Sequence, residues 1–194
     1  DAWTADGANS PILSITQNTT IDLNGHTLTI SKANQYFDVH EGAKLTIMDS
    51  SDSIQDTEST VTGNLYGNKA KLENDTLTYY ITESTPTGTR ETLKKHEVPL
   101  AGAGKILCQE ASEQVILVKG TLELQSGVLQ NTGGKHIVLV DRGTLDVNGG
   151  YIVGGGRDGT PGGGIYVDNG TANIQDGVVA ANRGSSGGGI FVSS

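Results

Sequence analysis

In residues 138–147, VLVDRGTLDV, large apolar side chains fall on alternate positions on either side of a short polar turn. Val138 and Val140 share one face of a strand, and Leu145 and Val147 share one face of the next. The same unit recurs as ILVKGTLEL over 116–124 and as IYVDNGTANI over 165–174. Each copy turns at a Gly-Thr pair: Gly120 and Thr121, Gly143 and Thr144, Gly170 and Thr171. The first strands begin at Val138, Ile165 and Ile190, which are 27 and 25 residues apart. Beyond each second strand comes another glycine with an apolar run: SGVLQN, GGYIVG and DGVVAAN. Glycine clusters at Gly162, Gly163 and Gly164 and at Gly187, Gly188 and Gly189 then lead into the next unit. One repeat therefore holds three short strands and three turns.

That pattern predicts an all-β fold, a right-handed parallel β-helix of about six or seven coils. Stacking coils at about 4.8 Å pairs every backbone N–H and C=O with the coil above or below, and sets like side chains on like. Thr121, Thr144 and Thr171 are expected to form an external ladder, with Ile, Leu and Val stacked inside. The turn glycines are expected at corners that need positive φ. A helical reading fails, because no segment of this half keeps a 3.6-residue apolar period without a glycine interruption. An antiparallel sandwich would not need near-identical units at near-constant spacing.

The N-terminal half carries a looser version. ILSITQNTTIDLNGHTLTI places Ile12, Leu13, Ile15, Ile21, Leu23, Leu28 and Ile30 in alternation, with a sharp turn at Asn24-Gly25. FDVHEGAKLTIMD repeats the strand–Gly–strand unit through Phe37, Val39, Gly42, Leu45 and Ile47. Residues 1–63 read as an N-terminal cap, including Trp3, and the first coils; an uncovered coil end would be an open strand edge. Residues 106–194 read as regular coils that stop as a repeat begins.

Residues 64–105 break the pattern. They carry a net charge of +1, leaving −10 for the rest, and hold three of the six tyrosines, Tyr66, Tyr79 and Tyr80. TLTYYITESTPTGTRETLKKHEV reads as two strands joined near Pro86 and Gly88, a β-hairpin insertion at one corner of a coil.

Composition fits a solenoid. There are 28 glycines and only 5% aromatics, less bulk than a compact sandwich carries. The net charge of −9 argues against nucleic acid and against docking on an anionic membrane surface. A lone cysteine, Cys108 in the strand-like ILCQ, excludes a disulfide framework and a cysteine zinc site, and reads as a small core residue. No run approaches the roughly 20 apolar residues of a membrane span. The opening DAWTADGANS is no signal peptide, and the chain is expected to be a fragment of something longer.

IDLNGHTLTI, GAKLTIMDSSD, GTLELQSGVLQN and GGGIYVDNGTANIQDGVVAANRGSSGGGIFV together resemble the pectin-lyase-like β-helix segments of large surface proteins from Gram-positive gut bacteria. The resemblance covers most of residues 12–63 and 106–194 and none of the insertion. It implies a secreted or wall-anchored, adhesin-like protein. The family has no agreed catalytic motif at the matched positions, and no wall-sorting motif is present here.

Two function classes follow. The first is a carbohydrate-active enzyme, a polysaccharide lyase or glycoside hydrolase. Asp141 and Asp168 fall at equivalent repeat positions and should sit one coil apart, with Arg142 beside them and Asp146 close in sequence. Alignment back from the glycine clusters sets Asp158 opposite Arg183. Two carboxyl groups suit an inverting hydrolase, adjacent carboxylates suit calcium, and Asp158 with Arg183 suits a substrate clamp. Against this, acidic residues at solenoid turns are commonly solvated, and exposed ion pairs contribute little.

The second class is a non-catalytic binding module, touching host or environmental glycans or proteins through Tyr66, Tyr79 and Tyr80, because aromatics stack on sugars and anchor interfaces. Their plainer role is packing on the solenoid wall. Surface display without turnover is the expected function, with no obligatory cofactor. GGGRDG is no phosphate loop, since no helix follows it. His26, His40, His96 and His136 lack metal-ligand spacing. Glu123, Asp146 and Asn173, two residues after the ladder threonines, break the regular array that ice binding favours.

Overall fold

The computed structural model describes residues 11–63, 69–83, 91–110 and 114–193. The chain divides into two compact units, Asp1–Asp52 with Ala103–Ser194, and Ser53–Gly102.

The first unit is a parallel β-helix. Its first coil holds β1 (Leu13–Ile15), β2 (Thr19–Asp22) and β3 (Thr27–Ile30). The second opens with β4 (Phe37–Val39) and β5 (Lys44–Met48). The chain then builds the second unit from β6 (Thr57–Gly63), β7 (Lys71–Glu73), β8 (Thr76–Glu83) and β9 (Glu91–Pro99), and returns to complete the coil with β10 (Lys105–Cys108). The third coil is β11 (Ile116–Val118), β12 (Thr121–Leu124) and β13 (Val128–Asn131). In the fourth, β14 (Val138–Asp141) leads into β15 (Thr144–Val153), which runs through the next corner; the fifth repeats this with β16 (Ile165–Asp168) and β17 (Thr171–Ala180). A sixth begins with β18 (Ile190–Ser193).

Three faces result. The first stacks β1-β4-β11-β14-β16-β18. The second stacks β2 and β5, then β12, then the leading halves of β15 and β17. The third stacks β3, β10 and β13, then the trailing halves of β15 and β17. Every ladder is parallel and like meets like: Val138 lies opposite Ile165, Leu122 opposite Leu145, and Thr121, Thr144 and Thr171 form one outward row. The inward residues Phe37, Val39, Leu45, Ile47, Ile116, Val118, Leu122, Leu124, Val138, Val140, Leu145 and Val147 are fully buried. Alternation puts one side chain in two inside, and each coil caps the apolar layer of the one before. Cys108 belongs to this core, buried at the end of β10.

The Gly-Thr corners differ from expectation. Positive φ falls on the preceding residue, Arg142 at 62° and Asn169 at 55°, and not on Gly143 or Gly170. The glycines are needed for close approach. A Cβ on Gly120 would stand 2.2 Å from the His40 carbonyl oxygen, and one on Gly143 would stand 2.6 Å from that of Gly120. Positive-φ glycines instead form the next corner, at Gly25, Gly127, Gly150 and Gly177.

The second unit is a four-stranded antiparallel sheet in the order β6-β9-β8-β7. Chain patterning places the boundaries of this insertion at 64 and 105, with two strands. The structure draws the unit from Ser53 to Gly102, because Thr57–Gly63 pairs with Glu91–Pro99, and Lys105 already belongs to the third face of the solenoid. Trp3, Tyr66, Pro86 and Gly88 lie outside the described residues.

Candidate functional site

At the end of the first face, Asp141 and Asp168 lie directly opposite each other on adjacent coils, as their repeat positions predict. Their chemistry is that of a surface ladder. Arg142 takes both oxygens of Asp141, Nε to Oδ1 at 2.9 Å and Nη2 to Oδ2 at 3.2 Å. This guanidinium holds the Asp141 carboxyl below the usual carboxylate range. Asp168 accepts a hydrogen bond from Asn169 Nδ2 at 3.0 Å. Lys119 and Glu41 complete a shallow cleft of about 240 Å³ with Asp141 and Arg142. A general acid needs a raised pKa, and a carboxylate clasped by its neighbouring arginine has the opposite.

Asp158 and Arg183 are not brought together. The Arg183 N–H bonds to the Gly155 carbonyl at 2.8 Å, so Arg183 lies over Gly155 and Gly156, while Asp158 stands exposed in the turn beyond. Pro161 still pairs with Ser186, 25 residues on, whereas the Gly155–Arg183 step spans 28. The fourth coil carries extra residues in this loop, and counting back from the glycine cluster misses them.

Among the described residues, no three His, Cys, Asp or Glu side chains come together as a metal-binding group, and no helix is long and apolar enough to cross a membrane.

The second unit separates the two described tyrosines. Successive strand residues point to opposite faces, so Tyr79 and Tyr80 diverge. The Tyr79 ring stacks flat on His96, with centroids 4.6 Å apart and planes within 5°. His96 Nδ1 lies 2.7 Å from Asp56 Oδ2, and Glu58, bonded to Lys94 at 2.6 Å, flanks its other nitrogen at 3.8 Å. Tyr79 is thus committed to packing.

Tyr80 lines an open dish of about 340 Å³ on the other face. The tight turn between β7 and β8 closes one end of it. Asn74 and Asp75 take φ of 49° and 56° there, the two left-handed positions of a two-residue hairpin loop. Across the dish, Tyr80 pairs with Lys95, Thr78 with Glu97 and Lys71, and Thr76 with Glu73. Two ion pairs frame it, Lys71 to Glu73 and Lys95 to Glu97, both at 2.9 Å. The Glu73 carboxylate raises the pKa of Lys71. An aromatic ring, hydroxyls, a carboxamide and balanced charges thus share one concave surface. The sequence marks Tyr80 but not its charged frame. The spacing of Lys71 with Glu73 and of Lys95 with Glu97, two apart in a strand, carries that signal.

Compared with protein-family models, with curated proteins and with solved structures, the chain matches none. Fold and geometry therefore carry the functional reading.

Proposed function

We propose that this chain is a non-catalytic, surface-displayed module of a secreted or wall-associated bacterial adhesin-like protein of the pectin-lyase-like type, and that it contacts glycans through the Tyr80 dish. The observation that carries the reading is the dish itself. A pyranose ring offers an apolar face to an aromatic ring and hydroxyls to polar groups at its rim. Tyr80 supplies the ring; Thr76, Thr78, Asn74 and the two Lys–Glu pairs supply donors and acceptors of both kinds. The solenoid is stiff in itself, because each coil is fixed by backbone pairing to the next. In this reading Asp141, both of whose oxygens Arg142 binds, is one half of a surface ion pair and not a general acid.

A glycan array tests the reading. The wild-type chain is expected to retain a subset of glycans without cleaving them, Tyr80→Ala to lose them, and chelation of divalent cations to change nothing. Release of reducing ends or unsaturated sugars, abolished by Asp141→Ala or Asp168→Ala, would establish the enzymatic alternative instead.

A further inference from the structure

The outward side of the first face carries two rows of side chains whose order along the solenoid is self-complementary. From the first coil to the sixth, one row reads Ser14, Asp38, Leu117, Leu139, Tyr166 and Phe191. The row beside it includes His40, Lys119, Asp141, Asp168 and Ser193, one step beyond the strand ends on the second and third coils. Leu117, Leu139, Tyr166 and Phe191 are only half-buried, and Tyr166 links the rings of His136 and Phe191 at 5.0 and 5.4 Å. Cations and histidine therefore occupy the early coils of the second row, and carboxylates the late ones.

We infer that this face is a self-association surface: two copies pack first face to first face, side by side and with solenoid axes reversed, about a two-fold axis lying along the strands between the third and fourth coils. That operation sets the third coil of one copy on the fourth of the other, and the second on the fifth. Lys119 then meets Asp141 of the second copy, His40 meets Asp168, Leu117 meets Leu139, and the Tyr166 hydroxyl approaches Asp38. Each contact occurs twice, as an isologous interface requires. The parallel alternative, coil on equal coil, reverses the strand direction across the interface, so the row that ends the strands faces the row that starts them and the Lys119–Asp141 and His40–Asp168 pairings are lost. Lys119 already bonds Asp38 at 3.2 Å and Asp141 already holds Arg142, so both arrive oriented and partly desolvated. Six strands about 4.8 Å apart and about four residues long present a flat area on the order of 350 Å² per copy, which corresponds to weak, reversible pairing.

Analytical ultracentrifugation of the whole chain tests this. The wild type is expected to show a weight-average mass that rises with concentration toward twice the monomer. Lys119→Asp and Asp141→Lys, each alone, place like charges opposite each other twice and are expected to weaken association about tenfold or more. An equimolar mixture of the two variants restores opposite charges at both contacts, and wild-type-like association is expected to return. Recovery on mixing also shows that each variant is folded. A wild type that stays monomeric into the millimolar range, variants that associate as well as the wild type, or a mixture that does not recover would overturn the inference.

Discussion

Asp49 accepts the backbone N–H of Gly104 at 2.6 Å, across the gap that opens where the chain leaves the solenoid and returns. The same carboxylate accepts the Gly25 N–H of the coil below at 2.8 Å and the Ser51 N–H at 3.2 Å. From the coil above, Ser126 Oγ takes the Asp49 N–H at 2.7 Å and donates to the Asp49 carbonyl at 3.2 Å. Elsewhere at this corner a positive-φ glycine turns one continuous chain; in the second coil the corner is cut, and Asp49 joins its two ends.

Asp49→Ala leaves three N–H groups without their acceptor, at an expected cost of about 2–3 kcal/mol after partial compensation by water. Chemical denaturation of the solenoid signal measures it. A loss within error of zero would show that Asp49 does not hold the corner.

The same group predicts an acid dependence. Burial pushes the Asp49 carboxyl up, but hydrogen bonds from Gly25, Gly104 and Ser51 outweigh it and hold the group below its ordinary value. A depressed folded pKa means that its contribution is fully present above the unfolded value of about 3.9 and is lost as pH falls through the folded one. Melting temperature should therefore fall as pH drops below about 4, and Asp49→Asn should flatten that fall. An unchanged slope in the variant would assign the acid sensitivity to other carboxylates.

Two glycines of the Gly-Thr corner region should respond differently to alanine. At Gly120 the added methyl meets the His40 and Ala43 carbonyl oxygens at 2.2 and 2.3 Å, so coils must part, at about 3 kcal/mol. At Gly42 nothing lies within 4 Å, and the cost is that of φ +79° alone, about 1 kcal/mol. Melting curves of the two variants should rank in that order; the reverse would mean that backbone strain outweighs coil spacing here.

Tyr79 and Tyr80 should separate stability from binding. Tyr79→Ala removes the stack on His96 and is expected to destabilise the second unit by about 2–3 kcal/mol while the folded protein still binds. Tyr80→Ala should spare the fold and remove binding. Equal loss of binding in both, with the fold intact, would relocate the contact surface.

The coils were legible because each position has one stacking partner of its own kind, so Val138 over Ile165 could be read from spacing alone. Regularity was also the trap. Asp158 and Arg183 follow the glycine count, and an extra stretch of loop between Gly155 and Pro161 defeats it. The start of the insertion was hidden because TESTVTG of β6 is polar and mostly exposed, and its antiparallel partners lie far along the chain, from Gly63 on Glu91 to Thr57 on Glu97. The divergence of Tyr79 and Tyr80 follows from strand alternation, but which of them stacks on a neighbouring ring depends on His96, a contact between strands that no local pattern encodes.

Nitroxide labels at positions 121, 144 and 171 test the like-on-like stacking on which the Asp49 corner and the self-association face both rest. With Cys108 replaced and the three threonines changed to labelled cysteines, in-register parallel coils bring the spins about 4.8 Å apart in backbone spacing. The electron paramagnetic resonance spectrum should then collapse toward a single exchange-narrowed line that no singly labelled variant shows. A triply labelled chain that keeps the three separate lines of isolated nitroxides would contradict the stacked-coil architecture.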